Sequence, residues 1–159
     1  MTTSQSHWPA GLAAVGAIRF TRRSANFTAT VAFYRDLVGL PLYMTFEHSY
    51  GSTGAIFGMP GSALTLEIIE ATQPVAIDDH PEQLCLYFPN QKEQRAATQR
   101  LRAAGEQPVQ SHPFWAATGA ETYRDPDGRE IVIAPFVFGV DVPPASLASG
   151  RHWWPEQPE

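Results

Sequence analysis

The feature that most constrains this chain is an internal repeat of one strand, one helix and three further strands. In the first half, the pattern predicts a helix at 28–38, preceded by one strand and followed by three, at 15–22, 42–47, 55–58 and 63–70. Ala29, Phe33 and Leu37 recur at helical spacing on one face of the predicted helix. Gly39 follows at the position where a glycine commonly ends a helix.

The second half repeats this order. It predicts a helix at 91–104 that ends at Gly105, with strands at 84–88, 108–110, 118–124 and 129–136. Ala97, Leu101 and Ala104 should form the buried face of this helix. The segment Asp125-Pro126-Asp127-Gly128 has the residues of a tight turn, which predicts a hairpin between the last two strands.

Each half is too small to cover both faces of its own sheet, so the two halves should pack together. The sequence therefore predicts an α+β fold: two βαβββ modules form one curved mixed sheet, or cup, with the helices on its outer face. A cup of this kind leaves a cavity of small-molecule size.

The ends of the chain differ in composition from the repeat. We expect an N-terminal extension at 1–14, modules at 15–70 and 83–136, a linker at 71–82 and a tail at 137–159. Four prolines in the tail exclude a helix or a central strand there. Trp153 and Trp154 favour a tail docked on the domain or on a second subunit, and a partly disordered tail is the alternative.

Composition excludes several classes of function. The chain has 159 residues, a formal net charge of -5 and one lysine, so it is a poor binder of nucleic acid. A single cysteine, Cys85, excludes an internal disulfide and cysteine-based zinc sites. No apolar stretch approaches the ~20 residues that cross a bilayer. The N-terminal segment lacks the basic start and the apolar run of a signal peptide. We therefore expect a cytoplasmic protein with no membrane partner.

Two motifs carry a resemblance to a known superfamily. FYRDLVGLPL at 33–42 and DPDGREIVI at 125–133 resemble the vicinal oxygen chelate superfamily, which includes glyoxalase I, extradiol dioxygenases and fosfomycin- and bleomycin-resistance proteins. The resemblance covers residues 15–136, and segments 48–68 and 112–115 are similar to a glyoxalase-like bacterial branch. It implies the cup described above and a homodimer.

The resemblance also implies four inward positions that hold a metal ion in metal-dependent members. Here they correspond to Arg19, Glu67, Gln83 and Val132. Glu67 is a good ligand and Gln83 a weak one, whereas Val132 and the protonated Arg19 have no lone pair to offer. The five histidines lie in predicted tails, loops or the linker, without the spacing of a ligand pair: His7, His48, His80, His112 and His152. We expect neither a metal site nor another cofactor.

Arg19 and Glu67 should face each other on the floor of the cup. They either grip a polar group of a ligand or form a salt bridge that only closes the floor, since an unpaired buried charge is costly. Strand alternation and the loops add further candidates to the wall. The predicted ligand-binding residues are Arg19, Glu67, Gln83, Tyr87, His48, Tyr50, Phe57, Phe114 and Trp115. An aromatic-rich wall suits a flat ligand, although each ring alone could instead be part of the core.

Four functions remain open on these residues. The first is a metal-independent binding protein of the drug-sequestering kind, which takes a small aromatic or hydrophobic molecule. The second is a metal-free isomerase, lyase or cyclase with Glu67 as base and Arg19 as electrostatic stabiliser. The third is a glyoxalase-like lyase with a non-standard metal site, and the fourth a ligand-sensing or subunit-interaction module. Residue types alone do not separate binding from turnover.

Overall fold

We describe residues 14–76 and 82–136 of the chain in a computed structural model. They fall into two compact units, one ending at Ala76 and the other described from Glu82 onwards. The predicted linker lies partly, and the predicted C-terminal tail with Trp153 and Trp154 wholly, outside the described residues. No helix in the described ranges is long and apolar enough to span a membrane.

The first unit is a four-stranded mixed sheet with one helical segment. Its elements are β1 (Ile18–Ser24), α1 (Phe27–Ala32), a π-helical turn (Phe33–Val38), β2 (Leu42–Ser49), β3 (Ser52–Gly58) and β4 (Leu64–Glu70). The strand order is β1-β4-β3-β2, in which β1 runs parallel to β4 and the other neighbours are antiparallel. This unit has the predicted βαβββ order.

The helical segment of the first unit ends at a glycine, as predicted. Gly39 has a φ of 85°, and its N–H and that of Leu40 both donate to the Tyr34 carbonyl. Of the predicted buried face, Phe33 is buried, Leu37 is half-buried and Ala29 is exposed. Thr30 and Tyr34, which were not predicted to be buried, also contribute to the core.

The second unit has a three-stranded sheet and two helices. Its elements are β5 (Gln83–Tyr87), α2 (Gln91–Ala103), α3 (Pro113–Ala117), β6 (Glu121–Arg124) and β7 (Glu130–Ala134). The strand order is β5-β7-β6, with β5 parallel to β7 and β6 antiparallel to it. The fold class, α+β with mixed sheets, is confirmed.

One predicted strand of the second half, at 108–110, is wrong. Only the N–H of Val109 reaches the neighbouring strand, where it donates to the Thr122 carbonyl at 2.7 Å. Pro108 has no N–H to add to a ladder, and Pro113 suits the first turn of a helix. The chain forms α3 instead, and the Phe114 N–H of its first turn donates to His112 Nδ1.

Helix α2 buries the predicted Leu101 together with two polar residues, Gln94 and Thr98. Of the two predicted alanines, Ala97 is half-buried and Ala104 is exposed. The Gln94 amide donates to the carbonyls of Gly119 and Ile133 at 2.8 and 2.9 Å. Gln94 thus joins the helix to β7 and to the residues that lead into β6.

The predicted hairpin between the last two strands is confirmed. The Asp125 carboxylate accepts from the N–H groups of Asp127 and Arg129 at 3.0 and 2.9 Å. Gly128 takes a φ of 90°, which a residue with a side chain adopts only at a cost. This turn fixes the register in which Arg124 lies opposite Glu130.

Candidate functional site

In the first unit, strand pairing brings the predicted charged residues to one side of the sheet. Thr21 on β1 and Ile56 on β3 both lie beside Glu67, and Arg19 lies beside Thr65. Paired residues on neighbouring strands point to the same side of a sheet. We call this side, which carries Arg19, Thr21, Ile56, Thr65 and Glu67, the Glu67 face.

The predicted Arg19–Glu67 ion pair forms, but it is loose. A guanidinium nitrogen of Arg19 lies 3.4 Å from Glu67 Oε1, and the two side chains are 52% and 13% exposed. The Thr21 hydroxyl donates to Glu67 Oε2 at the much shorter distance of 2.7 Å. Thr21 is therefore the main partner of the carboxylate, and Arg19 keeps most of its five N–H groups for another acceptor.

Phe57 does not belong to this face, which corrects the prediction that it contacts a ligand there. It pairs with Leu66, the residue before Glu67, so its side chain points to the opposite side of the sheet. Phe57 is 0% exposed and its ring centroid lies 6.1 Å from that of Tyr34. It is a core residue beneath the helical segment.

His48 and Tyr50 lie at the end of the β2–β3 hairpin. Both are exposed, and both have positive φ values, of 52° and 48°. Within the described residues, no hydrogen bond or ring contact of the structure joins either side chain to the Arg19–Glu67 pair. Their predicted role in ligand binding remains a prediction.

In the second unit, a buried carboxylate organises the polar residues. Glu130 is 3% exposed and pairs with Gln83 across the parallel strands β5 and β7. Its Oε2 accepts from the Gln83 amide and from the Ser111 hydroxyl, both at 2.7 Å. The Trp115 indole N–H donates to Gln83 Oε1 at 3.4 Å. Two residues thus bind this carboxylate directly, and Trp115 holds one of them.

Glu130 and Ser111 were missing from the predicted site residues. Glu130 lies two residues before Val132 on one strand, so alternation places both on the same side of the sheet. Strand alternation could therefore have predicted Glu130 from the sequence. No sequence pattern predicts the position of Ser111, because it reaches Glu130 from the irregular segment before α3.

Phe114 and Trp115 were both predicted to contact a ligand, and both also pack against the core of the second unit. They pack against the cluster of Ala120, Val132, Ala134 and Phe136. The Trp115 ring stacks on Phe136 with a centroid distance of 6.5 Å, and Phe114 packs edge-on to Trp115 at 5.1 Å. Both residues are only half-buried, so each keeps some surface for a ligand.

Tyr87 and Cys85 lie on β5 on the same side as Gln83. Tyr87 is exposed, which leaves its predicted contact with a ligand open. Burial raises the pKa of the Cys85 thiol. A thiol with a raised pKa stays protonated at neutral pH and is a poor nucleophile. Cys85 is therefore not a candidate for covalent catalysis.

Within each unit, the residues at the positions that the resemblance implies for a metal ion offer few free donor atoms. In the first unit, Glu67 is neighboured by the Arg19 cation, whose nitrogen lies 3.4 Å from the carboxylate. In the second unit, Val132 is buried and apolar. The Glu130 carboxylate beside Gln83 is 3% exposed and already accepts from the Gln83 amide and the Ser111 hydroxyl. The described residues contain no group of three His, Cys, Asp or Glu side chains that could hold a metal. Such an ion needs three or four protein ligands.

Comparisons with known proteins identify relatives of both halves. A family model described as the YycE-like C-terminal domain matches residues 82–134. The protein YycE of Bacillus subtilis (strain 168) is 33% identical over 121 residues, which are 72% of this chain and 84% of the relative. This match reaches well beyond the second unit.

Solved structures agree with this relationship. A 2.0 Å crystal structure of a YycE protein of unknown function from Bacillus subtilis is 32% identical, with a TM-score of 0.64 over 74% of this chain and 88% of that chain. The fosfomycin resistance protein FosX from Listeria monocytogenes, in complex with Mn(II) and a dihydroxypropylphosphonic acid, is 15% identical with a TM-score of 0.58, over 76% of this chain and 91% of that chain.

A protein from Bacillus cereus described as a possible glyoxalase is also 15% identical, with a TM-score of 0.57 over 76% of this chain and 99% of that chain. It and FosX show the fold alone. The chain therefore belongs to the YycE family, within the vicinal oxygen chelate fold that the two sequence motifs predicted.

Proposed function

We propose that this protein binds a small, flat molecule without the help of a metal ion, as drug-sequestering proteins do. One observation carries the proposal: Glu67 is held by Thr21 at 2.7 Å, while the half-exposed Arg19 lies 3.4 Å away with donors to spare. An internal salt bridge that only closed the sheet would use both partners fully. A guanidinium with free donors is instead suited to an acceptor group of a ligand.

Aromatic surface supports the same proposal in the second unit. Trp115 is positioned from behind by Phe136 and tethered through its indole N–H to Gln83. A ring held on two sides loses little freedom when a ligand stacks on it, which favours binding. The residues at the positions that the resemblance implies for a metal ion offer few donor atoms, which favours binding without a metal ion.

A metal-free isomerase, lyase or cyclase is the second candidate. Glu67 accepts two hydrogen bonds, and a carboxylate has about four lone-pair sites, so it retains capacity to take a proton from a substrate. Arg19 would then stabilise the negative charge that develops. Turnover of a bound metabolite that is lost in Glu67→Gln, with binding retained, would establish this candidate over simple binding.

We expect two variants to test ligand binding in each unit by itself. The protein is first treated with a chelator to remove divalent ions and then screened by thermal shift with aromatic metabolites and antibiotics. The compounds that bind, the hits, are titrated to measure their affinity. Trp115→Ala should weaken binding by about 1–3 kcal/mol, the usual contribution of an anchoring aromatic residue. Arg19→Met should weaken binding of ligands with an acceptor group, yet change the free energy of unfolding by less than about 1 kcal/mol, because the ion pair is half-exposed.

Two outcomes would contradict this proposal. If every hit required an added divalent ion, the binding would depend on a metal. If both variants bound the hits as tightly as wild type, the site would lie elsewhere.

We further propose that the protein is a cytoplasmic homodimer, as the superfamily resemblance implies. Sedimentation velocity at micromolar concentration should give twice the chain mass of 17.5 kDa. A single species at the monomer mass would rule the dimer out.

A further inference from the structure

A bulge in β2 turns a tyrosine onto the Glu67 face. Leu42 pairs with Phe57 and Met44 with Ile56, so Tyr43 is an extra residue without a partner on β3. A bulge of this kind re-aims the side chain of the inserted residue. A Cβ atom built on Gly58 would overlap the end of the Tyr43 ring, which shows that the ring lies directly over this glycine. Because Gly58 pairs with Thr65, the ring is on the Glu67 face.

A second ring occupies the equivalent place four residues along β3. Phe46 pairs with Gly54, and a Cβ on Gly54 would lie 2.5 Å from the Phe46 ring. The two glycines therefore provide the space in which aromatic rings from β2 lean over β3. A side chain at either position would push the ring above it outwards.

The residues of the Glu67 face consequently form three rows, each of which crosses the sheet from β1 to β2. Each outer row has an arginine at its β1 end and an aromatic ring at its other end, and the middle row holds the carboxylate. The rows are Arg19, Thr65 and Gly58 under Tyr43; Thr21, Glu67, Ile56 and Met44; and Arg23, Ile69 and Gly54 under Phe46.

The charges of this face favour an anion. Two arginines flank a single carboxylate, and that carboxylate already accepts from Thr21. Neighbouring strands are about 4.8 Å apart, so a ring over β3 lies about 10 Å from β1. A molecule of one or two fused rings with an acidic group at one end spans that distance. Tyr43 is 62% exposed, so its ring is open to such a partner.

We infer that Tyr43, seated over Gly58, is the aromatic part of a binding site on the Glu67 face whose ligand is an aromatic anion. Its carboxylate or sulfonate would be bound by Arg19, and its flat ring would stack on Tyr43. This inference rests on the proposed small-molecule binding and gives it a ligand class. The bulge and the glycine are the features that create the subsite.

Two fluorescent probes test the inference directly. Anilinonaphthalene sulfonate has both a ring system and an anionic group, and phenylnaphthylamine has the same rings without the charge. Wild type should bind the sulfonate more tightly. Tyr43→Ala and Gly58→Ala should each weaken binding of both probes by about three- to tenfold, the range of one aromatic contact. Arg19→Met should weaken binding of the sulfonate alone.

Gly58→Ala provides a second route to the same result, because it displaces the ring without removing it. The added methyl meets the mobile end of a tyrosine, so the fold should be kept, which a thermal melt checks. Gly16→Ala is the matched control, since a Cβ there meets no atom within 4 Å. It should bind both probes as wild type does.

Several results would overturn the inference. Wild-type binding of both probes in Tyr43→Ala and Gly58→Ala would exclude the aromatic subsite. Equal affinity of wild type for the two probes, unchanged in Arg19→Met, would exclude the anion. Failure of wild type to bind either probe would exclude both. The broader proposal is tested separately by the screened ligands and Trp115→Ala, so it could survive any of these outcomes.

Discussion

Replacing Phe57 with alanine should lower the free energy of unfolding by about 3–5 kcal/mol, the usual cost of removing a large buried ring. The side chain is 0% exposed and packs against Tyr34 on the side of the sheet opposite Glu67. Urea denaturation monitored by circular dichroism measures the loss. Ligand affinity, measured under conditions where the variant is folded, should stay within about twofold of wild type, because no part of the Glu67 face is removed.

Tyr50→Ala is the control for this experiment, since it removes an exposed ring from the same unit. It should change the free energy of unfolding by no more than about 0.5 kcal/mol. If Phe57→Ala kept wild-type stability but bound the ligand weakly, Phe57 would be a ligand contact and not a core residue.

Gln94→Leu should cost about 2–4 kcal/mol of stability although leucine is close to glutamine in size. The substitution removes two buried donors and leaves the carbonyls of Gly119 and Ile133 without them. The cost of a buried polar group that loses its partner is about 1–3 kcal/mol each, and packing of the new side chain offsets part of the sum. Chemical denaturation gives the difference directly.

Gln91→Leu is a matched control on the same helix, because Gln91 is exposed at the first position of α2. Its effect should stay within about 0.5 kcal/mol. If both leucine variants were as stable as wild type, the Gln94 amide would contribute nothing to holding α2 against β7.

The features that were predictable from the sequence are those set by local chemistry. Gly39 and Gly105 end the helical segments, and the turn at Asp125–Gly128 forms the hairpin, because each depends on a few adjacent residues. The ion pair of Arg19 and Glu67 was also predicted, because the superfamily resemblance implies that both residues are inward positions, on β1 and β4.

The errors come from features that depend on partners distant in sequence. The side to which Phe57 points follows from its pairing with Leu66, and a one-residue difference in register reverses it. Tyr43 could not be assigned to the Glu67 face from the sequence, because the bulge interrupts the alternation of side chains along β2. Gln94 was not among the residues predicted to be buried, and its two acceptors lie 25 and 39 residues further along the chain.

The parallel strand pairs have a consequence for how this protein folds. Thr21 and Glu67 are separated by 46 residues, and Gln83 and Glu130 by 47, yet each pair meets across neighbouring parallel strands. Closing such long loops is slower than forming the hairpins, which need only a tight turn. Within each unit, the polar groups on the parallel strands therefore meet in the last stage of folding. We expect hydrogen exchange during refolding to protect β3 before β1, so a ligand would meet a complete site only on a fully folded unit.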